Sequence, residues 1–197
     1  MKKILLTAFE PFDGECINPA LEIAKILETR TIGVEIRTVI VPVTFRDAAR
    51  TVLDTLTHET FDAVVMLGQA GGRSAITAER IAINIDDARI PDNIGDQPID
   101  HPIVPDGPAA IFATLPIKKM VSTMLEAGIS AAVSNSAGTF VCNHLMYRVL
   151  LFLDGSGIPA GFIHVPYLPE QVADKPNVPS MSLSDMIKGI ETALLVL

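Results

Sequence analysis

Two cysteines and four histidines are the chain's candidates for nucleophilic and proton-transfer chemistry. Cys142 stands in the most informative stretch, Ser134-Asn135-Ser136-Ala137-Gly138-Thr139-Phe140-Val141-Cys142-Asn143-His144-Leu145. A small-residue strand, Ala131 to Ser134, runs into it, and an apolar helical run follows the cysteine to Leu153. That order places the thiol at or near a helix N-terminus, where unpaired N–H groups and the positive end of the helix dipole meet. Both favour thiolate over thiol, and therefore a reactive sulfur. The competing reading is a buried structural cysteine, since a free Cys packs as a small hydrophobe.

A nucleophilic thiol needs an imidazole to take its proton and a third group to orient that imidazole. His164 follows the apolar strand Ala160-Gly161-Phe162-Ile163 and is the best base. His144 lies two residues after Cys142 on the same helix, and residues so spaced do not face each other. His58 falls at the polar end of a helix and His101 in a long irregular segment. The orienting group is Glu79. In Glu79-Arg80-Ile81-Ala82-Ile83-Asn84-Ile85 the isoleucines alternate with other residues, which predicts a strand with one apolar face. Glu79 shares their parity, and a carboxylate on a buried face needs a partner. The chain order Glu, Cys, His is no objection, because such triads are defined by geometry.

Alternating strands and helices position these groups. Strands are predicted at Lys3 to Ala8, Val34 to Val41, Phe61 to Leu67, Glu79 to Ile85, Ala131 to Ser134 and Ala160 to Ile163. Helices are predicted from Asn18-Pro19 to Glu28, Thr44 to His58, Ile117 to Ala127, Cys142 to Leu153, and from Ser182-Leu183 to the C-terminus. Asn18 serves as an N-cap with proline at the first helical position, and Gly128 as a helix-ending residue. Gly68-Gln69-Ala70-Gly71-Gly72-Arg73 is a glycine-rich loop at the carboxyl end of a strand, where open α/β sheets place ligands. A phosphate-cradling reading lacks the Gly-Lys-Ser/Thr that would support it. Asp86 to Pro108 is rich in Pro, Asp, Asn and Gly and long for a loop, so it is either functional or an irregular excursion. The alternation predicts an α/β fold with a largely parallel sheet covered on both faces.

At 197 residues the chain fits one catalytic domain, residues 1–197. Apolar residues make up 49% and charged residues 19%, with a mean hydropathy of +0.39, which suggests a doubly covered sheet or an oligomer. No run of eighteen apolar residues exists, so no transmembrane helix is expected. The apolar start, Ile4-Leu5-Leu6-Thr7, stops at Phe9-Glu10-Pro11 and reads as a first strand rather than a signal peptide. A net charge of −8 without a basic cluster argues against nucleic-acid binding. Cys16 and Cys142 read as free thiols of a cytoplasmic protein. No His/Cys/Asp cluster has metal-ligand spacing, so no metal is expected.

Several motifs together resemble one family. Gly68 to Asn84 is similar to the glutamate signature of pyroglutamyl-peptidase I (pyrrolidone-carboxylate peptidase), and Ser136 to Asn143 to its cysteine signature. Gly161-Phe162-Ile163-His164-Val165-Pro166 resembles its histidine stretch. Phe9-Glu10-Pro11-Phe12, Asn18-Pro19 and Asp87-Ala88-Arg89-Ile90-Pro91-Asp92-Asn93 match as well, so the resemblance covers nearly the whole chain. One departure is Asp13, where the family usually has glycine. The resemblance implies a three-layer α/β/α sandwich with a mixed, largely parallel sheet, related to nucleoside phosphorylases. It implies a cysteine exopeptidase that hydrolyses an N-terminal pyroglutamyl residue from peptides through a thioester. Carried over, Cys142 is the nucleophile, His164 the general acid/base and Glu79 the orienting carboxylate. Arg89 matches an arginine near the oxyanion region, Phe12 and Phe140 match aromatics that hold the lactam ring, and Phe9 and Gln69 line the same area. The resemblance further implies a homotetramer with no cofactor.

Overall fold

The structure is a computed structural model describing residues 1–30 and 32–197. Its main sheet has six strands in the order β2-β1-β3-β8-β4-β7. These are β1 (Lys3–Phe9), β2 (Glu35–Val41), β3 (Ala63–Gln69), β4 (Ile76–Glu79), β7 (Ala131–Ser134) and β8 (Ala160–Val165). A separate hairpin pairs β5 (Ile81–Ile83) with β6 (Ala110–Phe112). The first four strands of the order run parallel; β4 lies antiparallel to β8 and parallel to β7. The sheet is therefore mixed, as the α/β/α expectation has it.

Alternation along each strand divides the core in two. Ile4, Leu6, Ala8, Val65, Leu67, Ile76, Ala78, Ile163 and Val165 pack on one side under α1 (Pro19–Glu28), α3 (Ile117–Glu126) and α5 (Leu183–Leu194). Leu5, Phe9, Val64, Met66 and Phe162 pack on the other under α2 (Ala48–His58) and α4 (Val141–Phe152). Side chains two apart share a face. Thr77, Glu79 and His164 therefore belong to the α2/α4 side, the side that carries Cys142.

Three predicted elements need correction. The run Glu79 to Ile85 is not one strand: Glu79 ends β4, and β5 begins in the hairpin after Arg80. In the hairpin Ala82 and Asn84 are buried, while Ile81, Ile83 and Ile85 are half-exposed. The parity argument thus reached burial for Glu79 through the wrong strand; that burial comes from the place of β4 between β8 and β7, where the whole strand is buried. The helix predicted from Thr44 begins at Ala48, because Thr44 to Asp47 form a turn closed by the Thr44 hydroxyl accepting from the Asp47 N–H at 3.1 Å. His164 lies inside β8, which extends through Val165 rather than ending before it.

Polar side chains order the 86–108 segment alongside the buried Ala88 and Ile103. Asp92 Oδ2 accepts from the Phe45 N–H at 2.9 Å, and its Oδ1 accepts from Ile94 and Asp96. Asn143, with no exposed surface, clamps α4 to the hairpin. Its amide donates to the Ile83 and Ile85 carbonyls at 2.9 and 3.1 Å and accepts from the Ile83 N–H at 3.0 Å. Orphaning buried backbone groups costs about 1–3 kcal/mol each. Asn143→Ala is expected to lower the unfolding free energy by roughly 3 kcal/mol. Urea unfolding checks this, and a loss under about 1 kcal/mol would mean that water replaces the amide.

Candidate active site

Phe140 caps α4 in an extended conformation and makes Cys142 the second helical residue. The first-turn N–H groups of a helix have no intrahelical acceptor. The thiol meets the sheet at Gly68, where a Cβ would lie 3.1 Å from Cys142 Sγ and 2.7 Å from the Phe162 ring. Gly68 pairs in register with His164 of the adjacent strand. A bare backbone at this position lets the sulfur, the Phe162 ring and the imidazole strand come together.

Behind them, His164 Nδ1 lies 2.8 Å from Glu79 Oε1. His164 is 4% exposed and Glu79 0%. Thr77 faces His164 across the antiparallel β4–β8 pair, so Glu79 stands two residues along on the same face. Arg73, at the end of the glycine-rich loop, donates to Glu79 Oε1 at 2.6 Å and also to the Thr77 hydroxyl. A phosphate reading of that loop loses its cation, since the guanidinium is turned inward onto a carboxylate. Burial pushes the Glu79 carboxyl up, but His164 first, then Ser134 and Arg73, outweigh it and hold the group below its ordinary range.

Burial has the opposite outcome at Cys142. It pushes the Cys142 thiol up to about 12, and the Glu79 charge adds to the rise, while Arg73 and the cysteine's own backbone N–H oppose it. Burial also lowers His164, against the Glu79 bond that raises it. The backbone N–H at the helix start lowers the thiol as expected, and burial outweighs it. Both shifts favour the neutral thiol and the neutral imidazole.

In front of the thiol is a narrow pocket lined by Phe9, Phe12, Asn18, Val43, Gln69, Phe140, Val141 and Cys142. The Phe12 and Phe140 ring centroids are 6.3 Å apart and tilted by 36°. A flat ring between two parallel rings needs roughly 7–8 Å, twice the carbon contact distance, so a small separation admits one. Gln171 Nε2 donates to Gln69 Oε1 at 2.9 Å, which leaves the Gln69 amide N–H groups for a ligand. The 86–93 segment braces both aromatics. Asn93 Nδ2 donates to the Pro11 carbonyl at 3.1 Å beside Phe12, and the Thr139 hydroxyl donates to the Asp87 carbonyl at 2.7 Å beside Phe140.

Arg89 is exposed and lines a neighbouring recess that shares Phe12 and Phe140 but not Cys142. His144 Nδ1 pairs with the buried Asp86 carboxylate at 2.8 Å, apart from the thiol. His58 and His101 are exposed, and Cys16 and Cys142 are free thiols. Among the described residues, no group of three His, Cys, Asp or Glu side chains forms a metal-binding cluster. Asp13 has φ +54°, in the left-handed region. Aspartate is one of the few non-glycine residues that visits this region readily, so the loop keeps a glycine-like turn. Sequence reasoning missed Arg73, Gln171 and Asn143 as parts of the site; the buried carboxylate that needed a partner was the signal for Arg73.

An α/β/α sandwich with a cysteine at a helix start and a buried His–Glu pair on the same face is the arrangement of a cysteine-type peptidase. A family profile described as pyroglutamyl peptidase matches residues 2–197, and the chain belongs to that family. It is 55% identical to pyrrolidone-carboxylate peptidase 1 of Caldanaerobacter subterraneus subsp. tengcongensis, over 99% of this chain and 97% of that one. It is 54% identical to pyrrolidone-carboxylate peptidase of Streptococcus pyogenes serotype M4, over 98% and 90%. Among solved structures, pyroglutamyl peptidase I of Bacillus amyloliquefaciens superposes with a TM-score of 0.93 at 43% identity, over 98% of this chain and 95% of that one. Pyrrolidone carboxyl peptidase of Thermococcus litoralis gives 0.95 at 45%, over 100% and 93%.

Because the resting thiol is neutral, iodoacetamide alkylation of Cys142 is expected to quicken by about tenfold per pH unit from pH 7 to 10, following the thiolate fraction. A rate that levels off below pH 7 would instead demonstrate a preformed thiolate–imidazolium pair.

Proposed function

We propose that this chain is a cysteine exopeptidase that removes the N-terminal pyroglutamyl residue from peptides, acting as one catalytic domain over residues 1–197. The observation that carries the reading is that Cys142 shares one pocket with Phe9, Phe12, Gln69 and Phe140, with the buried His164–Glu79 pair on the same face. Pyroglutamate has no free α-amine, so its site needs no carboxylate to hold an ammonium. Its flat, neutral lactam suits the Phe12–Phe140 gap, and the free Gln69 amide can donate to the lactam carbonyl.

The chemistry starts from the neutral pair. As Sγ bonds to the scissile carbonyl carbon, the thiol proton passes to His164 Nε2, and Glu79 steadies the imidazolium through Nδ1–H. The oxyanion meets first-turn N–H groups of α4, with the Arg89 charge at the rim. Collapse breaks the C–N bond, and the amine leaves with the proton from His164. A thioester remains. Water then attacks it, giving one proton to His164, which returns it to the departing sulfur. One water is consumed per bond cut, and the enzyme is regenerated without a cofactor.

The same reading includes assembly as a homotetramer in the cytoplasm. Exposed Phe112 and Phe152 are apolar surface that contact between copies would cover. No helix among the described residues is long and apolar enough to cross a membrane.

Fluorophore release from a pyroglutamyl amide under reducing conditions tests the reading. Wild type is expected to turn over, and Cys142→Ala to fall by at least about a thousandfold. Failure of the wild type removes the function; a surviving Cys142→Ala removes the nucleophile assignment. A site built to hydrogen-bond a lactam leaves polar groups unpaired against proline, so prolyl amides should be cleaved more than about a hundredfold less efficiently. Comparable kcat/KM for the two substrates would sink this account of the pocket.

A further inference from the structure

Glu79 has no exposed surface, yet its carboxyl is held in the ionised range. A buried carboxylate needs a compensating charge, and the imidazole is neutral in the resting site. Among the described residues Arg73 supplies the one permanent cation paired with Glu79. Its NH1 shares Glu79 Oε1 with His164, at 2.6 Å against 2.8 Å. The guanidinium is fixed from two other sides, by the Thr77 hydroxyl and by the Ser136 carbonyl, to which NH2 donates at 3.3 Å. Those anchors sit on β4 and at the entrance to the cysteine stretch, so Arg73 ties the strand that carries the carboxylate to the segment that leads into the nucleophile. Glu79 Oε2 is buried without a partner, so Oε1 carries the whole polar satisfaction of the group. Arg73 does not line the lactam pocket.

We propose that Arg73 is a positioning residue of this active site: it holds Glu79 ionised and aimed at His164 Nδ1, and so keeps His164 Nε2 free to take the thiol proton. The proposal rests on the peptidase reading above. The groups facing the pair are Arg73 from the β3–β4 loop, Thr77 from β4 itself and Cys142 from α4, with Ser134 at the end of the neighbouring β7. Arg73 is the only permanently charged one among them. Removing a cation beside a coupled Glu–His pair makes the pair take up a proton at higher pH. An imidazole that is already protonated cannot act as the base, so the acidic limb of kcat/KM must move upward.

The test is the pH profile of pyroglutamyl-amide cleavage for wild type, Arg73→Gln and Arg73→Lys, with thermal unfolding of each as the check on folding. Arg73→Gln is expected to lose on the order of a hundredfold in kcat, below the ~10⁴-fold cost of a mis-set imidazole, with KM within about twofold and the acidic limb raised by about one pH unit. Arg73→Lys keeps the charge and should return the limb to its wild-type position. An activity-independent readout is the ¹⁵N titration of the His164 ring, assigned with His164→Gln, which should move upward in Arg73→Gln. Unmoved limbs and an unmoved His164 titration would overturn the proposal, as would equal losses in both variants at unchanged pH profiles. A wild type that titrates as expected but cleaves nothing would remove the peptidase reading and leave the Arg73 arrangement standing.

Discussion

A carboxylate buried to zero exposure at the end of β4 is the constraint on which the site depends. Desolvating Glu79 is costly, and the cost is met only where His164 Nδ1 and Arg73 converge on one oxygen. That convergence requires β4 to enter the sheet against the direction of β8, because the antiparallel register puts Thr77 opposite His164 and Glu79 just beyond it. The reversed β4–β7 pair is therefore what aligns Glu79 with His164. β7 then leads into the loop that opens α4 and delivers Cys142 to the same face.

The ligand side of the site is built differently. Phe12 and Phe140 come from loops that pack against the core and are also held by hydrogen bonds. Here the 86–93 segment supplies those bonds to both sides, from Asn93 to the Phe12 loop and between Asp87 and Thr139 beside Phe140. The length and polarity of that segment follow from the task. It reaches two separate loops with backbone and amide groups, and Asp92 satisfies its turn internally.

The two halves meet at a neutral thiol. Burial that excludes water from the pocket also raises Cys142 and lowers His164, so both are pushed toward their neutral forms. The Arg73 charge, paired with Glu79, and the first-turn N–H groups of α4 stand fixed beside them.

By itself the sequence determined a great deal about this protein. Periodicity placed most strands and helices, the small-residue run before Cys142 announced a helix opening, and the paired Glu and Cys motifs pointed to one family. Local signals of this kind are set by side-chain spacing and turn chemistry, which the chain order displays directly. What only the tertiary structure decided is how distant segments register. Nothing in the run from Glu79 to Ile85 says that it splits between two sheets, since parity is the same whether one strand or two carry it. The partner of Glu79 could be named as an imidazole or guanidinium; that both share a single oxygen depends on where β3, β4 and β8 lie side by side. The thiol's protonation likewise turns on the volume of apolar material packed around it, and burial is a property of the folded chain, not of the residues beside Cys142.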